Sequence, residues 1–429
     1  MKQKKEFIKS TLIAFIVRLV GALSGFLMSL FITRNLSVEE SGLFFLGFAI
    51  CTFIGTFCTL GFTNVFIRFI GAYSADKNWA IVKGVYNKGI KYAFITSVIV
   101  GGIFFFFSDF LSIQLFNKPE LSPVLSVVAL TIPFFCLYQL LSFAFQGLHK
   151  AVFSIFLQNI STQFIIILAL AYVWFFSFDI SAKHLVIVLT VAAFITFCIG
   201  VYAWLSRPEN NVKADYSINA ELIASAKPLW VMMMLASLVQ YSGQFITGIY
   251  ASAEQVAFFS VAQRLAMLTS FVLIAVNMVS APRFAASAKQ GNKEELRATS
   301  LIASRVMVTL ATPVLIFMLV FPEFLMGLFG EEYKQAAHLL RILVIGQFIN
   351  VVTGSVGFLL NMSGYEKDMR NVVFFSGPLA ISLGFLLTPI YGTTGAAVAT
   401  AIALASQNLI AVYMVKKRLG FNTLNLWKQ

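Results

Sequence analysis

Four arginines, Arg18, Arg264, Arg305 and Arg341, stand inside the apolar runs of this 429-residue chain, and no aspartate or glutamate stands at that depth with them. A guanidinium out of bulk water presents a planar fork of N–H donors that matches paired phosphate oxygens. These residues could therefore recognise an anion, and a cation or metal cargo would want the buried carboxylates that are missing. Arg264 is the deepest. It follows Glu254 by ten residues in an apolar run from Val256 to Pro282, roughly 15 Å along a helix and near the middle of a ~30 Å hydrocarbon layer. Arginine there costs several kcal/mol unless it faces the protein interior or a wet cavity. Arg18 lies nine residues past Lys9, roughly 13 Å into its run, and fits a cavity or an interface equally. Arg305 and Arg341 are secondary candidates, because snorkelling to an interface accounts for them as well.

Amides and small residues recur beside the arginines at helical spacing. Ser237, Gln240, Tyr241, Gln244, Thr247 and Gly248 make one face; Ala14, Arg18, Gly21, Gly25 and Ser29 a second; Gln347, Asn350, Gly354, Gly357 and Asn361 a third. Such stripes either line a wet path or join helices in lipid. The wet-path reading makes Arg264, Arg18, Gln240, Tyr241, Gln244, Gln347 and Asn350 the candidate substrate-binding set. Its substrate is an anion that also carries hydroxyls and apolar surface.

The elements that must position these residues are membrane helices. The chain is 59% hydrophobic and 11% charged, with a mean hydropathy of +0.86, more apolar surface than a soluble core absorbs. Apolar runs of helical length fall at about 10–32, 43–67, 90–108, 122–146, 153–176 and 184–205, and again at 228–250, 256–282, 300–321, 336–360, 371–390 and 392–415. The first is too long for a signal peptide and reads as a span. The expected fold is all-α and polytopic: a six-helix half at 1–205, a linker at 206–227, a second six-helix half at 228–415 and a basic tail at 416–429. Pro133, Pro313 and Pro378 interrupt three spans as hinges or plain kinks.

With the N-terminus cytoplasmic, 23 of the 31 Lys and Arg fall on the cytoplasmic side and four on the other, whereas the acids divide nine and nine. That asymmetry places both termini in the cytoplasm. It also accounts for the net charge of +13 without nucleic acid. The halves repeat: Glu40–Phe45 matches Glu254–Phe259, Arg68–Asn78 matches Arg283–Asn292, and Gly147–Lys150 matches Gly364–Lys367, at offsets of about 214, 215 and 217. Parallel repeats of this kind occur in alternating-access transporters. An enzyme is not supported. His149, His184 and His338 stand near span ends, no catalytic motif is present, and Cys51, Cys58, Cys136 and Cys198 read as small apolar residues. No metal or cofactor is implied.

Three short segments carry a resemblance: Phe31–Leu36 running into Glu39–Phe45, Arg283–Ala285 followed by Gly291–Glu294, and Asn361–Gly364. They resemble the polysaccharide-transport branch of the multidrug/oligosaccharidyl-lipid/polysaccharide exporter superfamily, and most of all its flippases for O-antigen and capsule assembly. Ser37 after Leu36 departs from the usual Leu-Gly. The resemblance implies a bilobed, MATE-like twelve-helix fold with a cationic cavity in the bacterial inner membrane. It implies an undecaprenyl-diphosphate-linked oligosaccharide as cargo, moved to the periplasmic leaflet without ATP, and a polysaccharide polymerase and chain-length regulator as partners. A small-molecule or drug antiporter on the same fold is the alternative, and a membrane polysaccharide polymerase a more distant one.

Overall fold

The computed structural model describes residues 2–425, the side chains of residues 2–12, 14, 15, 210, 278, 282, 285 and 289 excepted. The side chains of the N-terminal lysines and the tail residue Lys428 therefore lie outside the described residues. Helices occupy nearly all of the described chain, with no strand among the described residues. Eleven are long and apolar enough to cross a membrane. The chain forms two compact units, Met1–Ser237 and Leu238–Gln429.

The first unit holds α1 (Lys2–Asn35), α2 (Val38–Cys58), α3 (Trp79–Phe106), α4 (Ser122–Gly147), α5 (Ala151–Asn159), α6 (Ser161–Phe176) and α7 (Ala182–Leu205). α4 is its hub, packed against α2, α3, α5 and α7. Glycines on its neighbours admit its side chains: a methyl at Gly47 would lie 2.8 Å from Val124, and one at Gly55 2.7 Å from Phe135. Pro133 sits inside α4 without ending it. The proline cannot donate to the carbonyl four residues back, that of Ala129. Gly101 of α3 comes up against this oxygen, where an added Cβ would stand 2.8 Å away. Glu40 accepts a hydrogen bond from the Ala182 N–H at the start of α7, an anion placed where the helix dipole favours one.

The second unit begins within α8 (Asn219–Tyr250) and continues through α9 (Ala253–Met267), α10 (Ser270–Lys289), α11 (Lys293–Val320), α12 (Ala337–Thr353), α13 (Val356–Met362) and α14 (Glu366–Leu419). A straight helix of 54 residues would run about 81 Å, and α14 does not. Gly392, at φ 58 and ψ −141, reverses it. A methyl at Gly395 would touch the Leu387 carbonyl oxygen, Ser376 Oγ donates to Gln407 Oε1 at 3.2 Å, and Arg418 Nε meets Asp368 Oδ2 at 2.7 Å. α14 is thus two antiparallel spans, so the eleven membrane-crossing stretches among the described residues account for the twelve runs of the sequence.

Several runs expected as single spans are broken. The run 256–282 changes from α-type to i→i−3 bonding at Leu268 and Thr269, 153–176 breaks at Ile160, 336–360 breaks at Gly354, and 43–67 breaks ahead of Gly61. Pro133, Pro313 and Pro378, by contrast, stay inside continuous helices.

The repeat is written in the backbone. Ser37 and Ser252 are N-caps, as are Asn78 and Asn292. Positive φ falls at Lys77 and Gly291, at His149 and Gly364, and at Ser177 and Gly392, so offsets stay at 214 or 215. His149, not Gly147, is the counterpart of Gly364. The identity match of two glycines misplaces the register by two residues.

The linker segment 206–227 is seated on α3. Asp215 N–H donates to Ala80 O at 2.9 Å, and Lys83 Nζ donates to Val212 O at 3.0 Å. A Cβ at Gly84 would collide with the Asp215 carbonyl. Gly84→Val is expected to lift this segment and cost about 1–3 kcal/mol, read as a lower unfolding temperature in detergent and faster tryptic cleavage after Lys213.

Candidate substrate site

Arg264 is positioned by a helical hairpin, α8 and α9, closed by Ala251–Ser252. Ser252 caps α9 reciprocally with Gln255: Gln255 N–H donates to Ser252 Oγ at 3.3 Å and Ser252 N–H to Gln255 Oε1 at 3.2 Å. Glu254 occupies the first turn and Arg264 the last, the signs that a helix dipole favours at each end. α9 then stops. Leu268 and Thr269 keep helical dihedrals but switch to i→i−3 bonding: Leu268 N–H donates to Leu265 O at 3.0 Å, and Thr269 donates to Ala266 O through its N–H at 3.4 Å and its hydroxyl at 2.8 Å. The Leu265 and Ala266 carbonyls are thus both bonded at the end of α9.

α9 is enclosed on most of its circumference. Val256, Ala257, Phe259, Val261 and Ala262 are fully buried and Leu265 nearly so. Arg264 is half-buried at this otherwise closed level. Across the hairpin Gln263, the residue before it, is bonded to Gln240, and Tyr241 follows as a half-buried side chain of α8 stacked on Phe245.

Polar bonds join the two helices on either side. Gln263 Nε2 donates to the Gln240 carbonyl at 3.1 Å, and Gln244 Nε2 donates to Ser260 Oγ at 2.9 Å. Gly243 lets α9 come close: a methyl there would stand 2.7 Å from the Phe259 ring. The α8 stripe therefore divides. Gln244 and Thr247 are buried in helix contacts, whereas the Gln240 side chain is exposed and Tyr241 lies between the two conditions. Gln263 carries no signal in the sequence beyond its place next to Arg264, and its bond to α8 appears only once the hairpin is folded.

The remaining candidates are distributed. Gln347 and Asn350 lie half-buried on α12, and Asn350 Nδ2 donates to Gln347 Oε1 at 3.1 Å. Arg305 is half-buried on α11 and Arg341 exposed on α12. In the first unit Arg18 is exposed on α1. The small face of that helix packs on its neighbours: a methyl at Gly21 would lie 2.8 Å from Asn159, and one at Gly25 3.4 Å from Gln163. Among the described residues no group of three or more His, Cys, Asp or Glu is placed to hold a metal.

A family model described as polysaccharide biosynthesis protein matches residues 7–288, and a second, MatE, matches residues 228–386. A putative O-antigen transporter of Shigella flexneri is 22% identical over 395 residues, spanning 90% of this chain and 91% of that one. The fold is similar to an inward-facing multidrug resistance transporter of the MATE family in the MOP superfamily, with a TM-score of 0.73 at 15% identity over 95% of this chain and 98% of that one. It is also similar to the lipid II flippase MurJ in an inward closed conformation, with a TM-score of 0.72 at 14% identity over 95% and 87%. At these identities the structural likenesses speak to fold alone.

Gln244→Leu is expected to lower stability by about 0.6–2 kcal/mol while leaving transport intact, and Ser260→Ala in the same chain to recover part of that loss. A double-mutant cycle on unfolding temperature, run beside a transport assay, checks it.

Proposed function

The chain belongs to the polysaccharide biosynthesis protein family, and from that premise we propose that it is a flippase for a lipid-linked oligosaccharide. It would carry an undecaprenyl-diphosphate-linked repeat unit from the cytoplasmic to the periplasmic leaflet of a bacterial inner membrane by alternating access, for O-antigen or capsule assembly. The supporting observation is Arg264: a half-buried arginine within a membrane segment, next to Gln263 and in a hairpin edged by amides. Its planar fork suits the oxygens of a pyrophosphate. Tyr241 and the exposed Gln240 offer hydroxyl and amide contacts of the kind a sugar takes. Arg18, Gln347 and Asn350 are additional contacts in this proposal, and Arg305 and Arg341 contribute from the margins.

The energetics suit the task. A diphosphate pays heavily to leave water, and fixed cationic donors inside a closed helix layer replace part of its hydration. The apolar lipid anchor needs no such compensation and can remain in the bilayer. Both termini are cytoplasmic in this proposal, by the excess of Lys and Arg in the segments on that side. A surface-polysaccharide polymerase and a chain-length regulator are the protein partners it suggests.

Drug export is the second reading, favoured by the MATE-family likeness in fold. The sign of the in-span charges separates the two. Cationic drugs call for carboxylates at depth, and the ionisable residues at depth in this sequence are arginines.

In cells lacking the chromosomal copy, Arg264→Ala is expected to reduce surface polysaccharide at least tenfold while reaching the membrane at normal levels; the factor corresponds to about 1.5–3 kcal/mol for a charge-assisted contact. Arg264→Lys should restore only part, since it keeps the charge and loses the fork. Polysaccharide gels beside membrane immunoblots provide the measurement, and full assembly by the alanine variant would sink the anion role.

A further inference from the structure

A second cation outside the α8–α9 hairpin lies in a groove of different make. α10 and α11 pack against each other and are joined by the tight turn Gln290–Asn292, where Gly291 takes φ 69 and Asn292 Oδ1 accepts the Glu295 N–H at 3.0 Å. Between them lies a cavity of about 310 Å³, lined on α10 by Val276, Val279, Ser280 and Arg283 and on α11 by Thr299 and Ile302, among others.

The order of these residues along the groove is the order of a lipid. Arg283 stands seven residues before Gln290 and Thr299 seven after Asn292, so both lie at one level near the turn, with Ser280 a turn deeper. Val276 is a further seven residues in from Arg283, about 10 Å along the axis. Arg283 is exposed, and Val279 and Ile302 are exposed at 59% and 57%, so the groove is open along its length. Among the described residues no carboxylate lines it.

We infer that this groove seats an anionic phospholipid of the surrounding bilayer. Its phosphate lies on the Arg283 guanidinium beside the Ser280 and Thr299 hydroxyls, and an acyl chain runs along Val279 and Ile302 toward Val276. Charge complementarity sets the headgroup: a single cation flanked by two hydroxyls, at the end of an apolar trough, is poorly matched to a zwitterionic choline head. The cavity takes a phosphate head and the upper part of a chain, and the proposal assigns it to a bilayer lipid rather than to the cargo proposed for Arg264. Basic pockets between transmembrane helices take acidic headgroups on these same terms.

The full-length protein in nanodiscs of phosphatidylcholine alone, and in nanodiscs of an equimolar mixture with phosphatidylglycerol, provides the test. Phosphatidylglycerol should raise the unfolding temperature and remain bound in native mass spectra. Arg283→Gln should weaken that retention about fivefold, and Arg283→Lys should keep most of it. Ile302→Trp, which fills the trough, should lose retention with Arg283 in place. Arg264→Ala should retain phosphatidylglycerol like the wild type, which keeps this test separate from that of the flippase. Equal retention by the wild type and Arg283→Gln would overturn the inference, and so would equal protection by sodium phosphate added to phosphatidylcholine nanodiscs.

Discussion

A guanidinium in hydrocarbon is the constraint around which the α8–α9 region is arranged. The charge cannot be left facing lipid and cannot be neutralised by losing its proton, so the surroundings must change instead. They do so in two ways. α9 is walled by small and apolar residues, buried over most of its circumference. Gln263, the residue before the arginine, bonds to the Gln240 carbonyl of α8, which brings the polar face of that helix alongside. Remove the arginine and neither of these features has a reason to coincide at this depth.

The amides beside it serve a different purpose. Hydrophobicity does not draw helices together in a lipid solvent, so close packing and interhelical hydrogen bonds must do it. Gln263 and Gln244 bond across α8 and α9 on either side of Gly243, where the backbones approach. A polar stripe in a membrane helix therefore holds two populations, one that joins helices and one that is open to a solute. Gln244 belongs to the first, and the exposed Gln240, a turn away on the same helix, is placed in the second by the function proposed above.

Much of this was legible in the residues alone. Side-chain transfer energies sum over twenty positions, so the spans and the odd position of Arg264 stand out clearly. The ends of the repeat were readable because Ser37, Ser252, Asn78 and Asn292 cap helices by local chemistry. Helix breaks were not. Leu268–Thr269 and Ile160 contain neither glycine nor proline, and hydropathy is indifferent to backbone dihedrals. Beside Ile160, Gly21 of α1 packs close against Asn159, a tertiary contact that hydropathy does not encode. The prolines stay inside helices, and at Pro133 a neighbour, Gly101, comes up to the carbonyl that the proline leaves without its helical donor. The two-residue slip at His149 arose because the repeat conserves a positive φ rather than a glycine.

The reversal at Gly392 bears on biogenesis. A turn this short, with no charged residue between Arg370 and Lys416, gives the insertion machinery nothing to hold on that face of the membrane. The two arms of α14 must then enter the bilayer together, as a helical pair whose polarity is dictated wholly by the opposite end. There Lys367 and Arg370 begin one arm, Lys416, Lys417 and Arg418 finish the other, and the Asp368–Arg418 contact ties them. The last two spans are in this sense a single topogenic unit, anchored at one end like a staple.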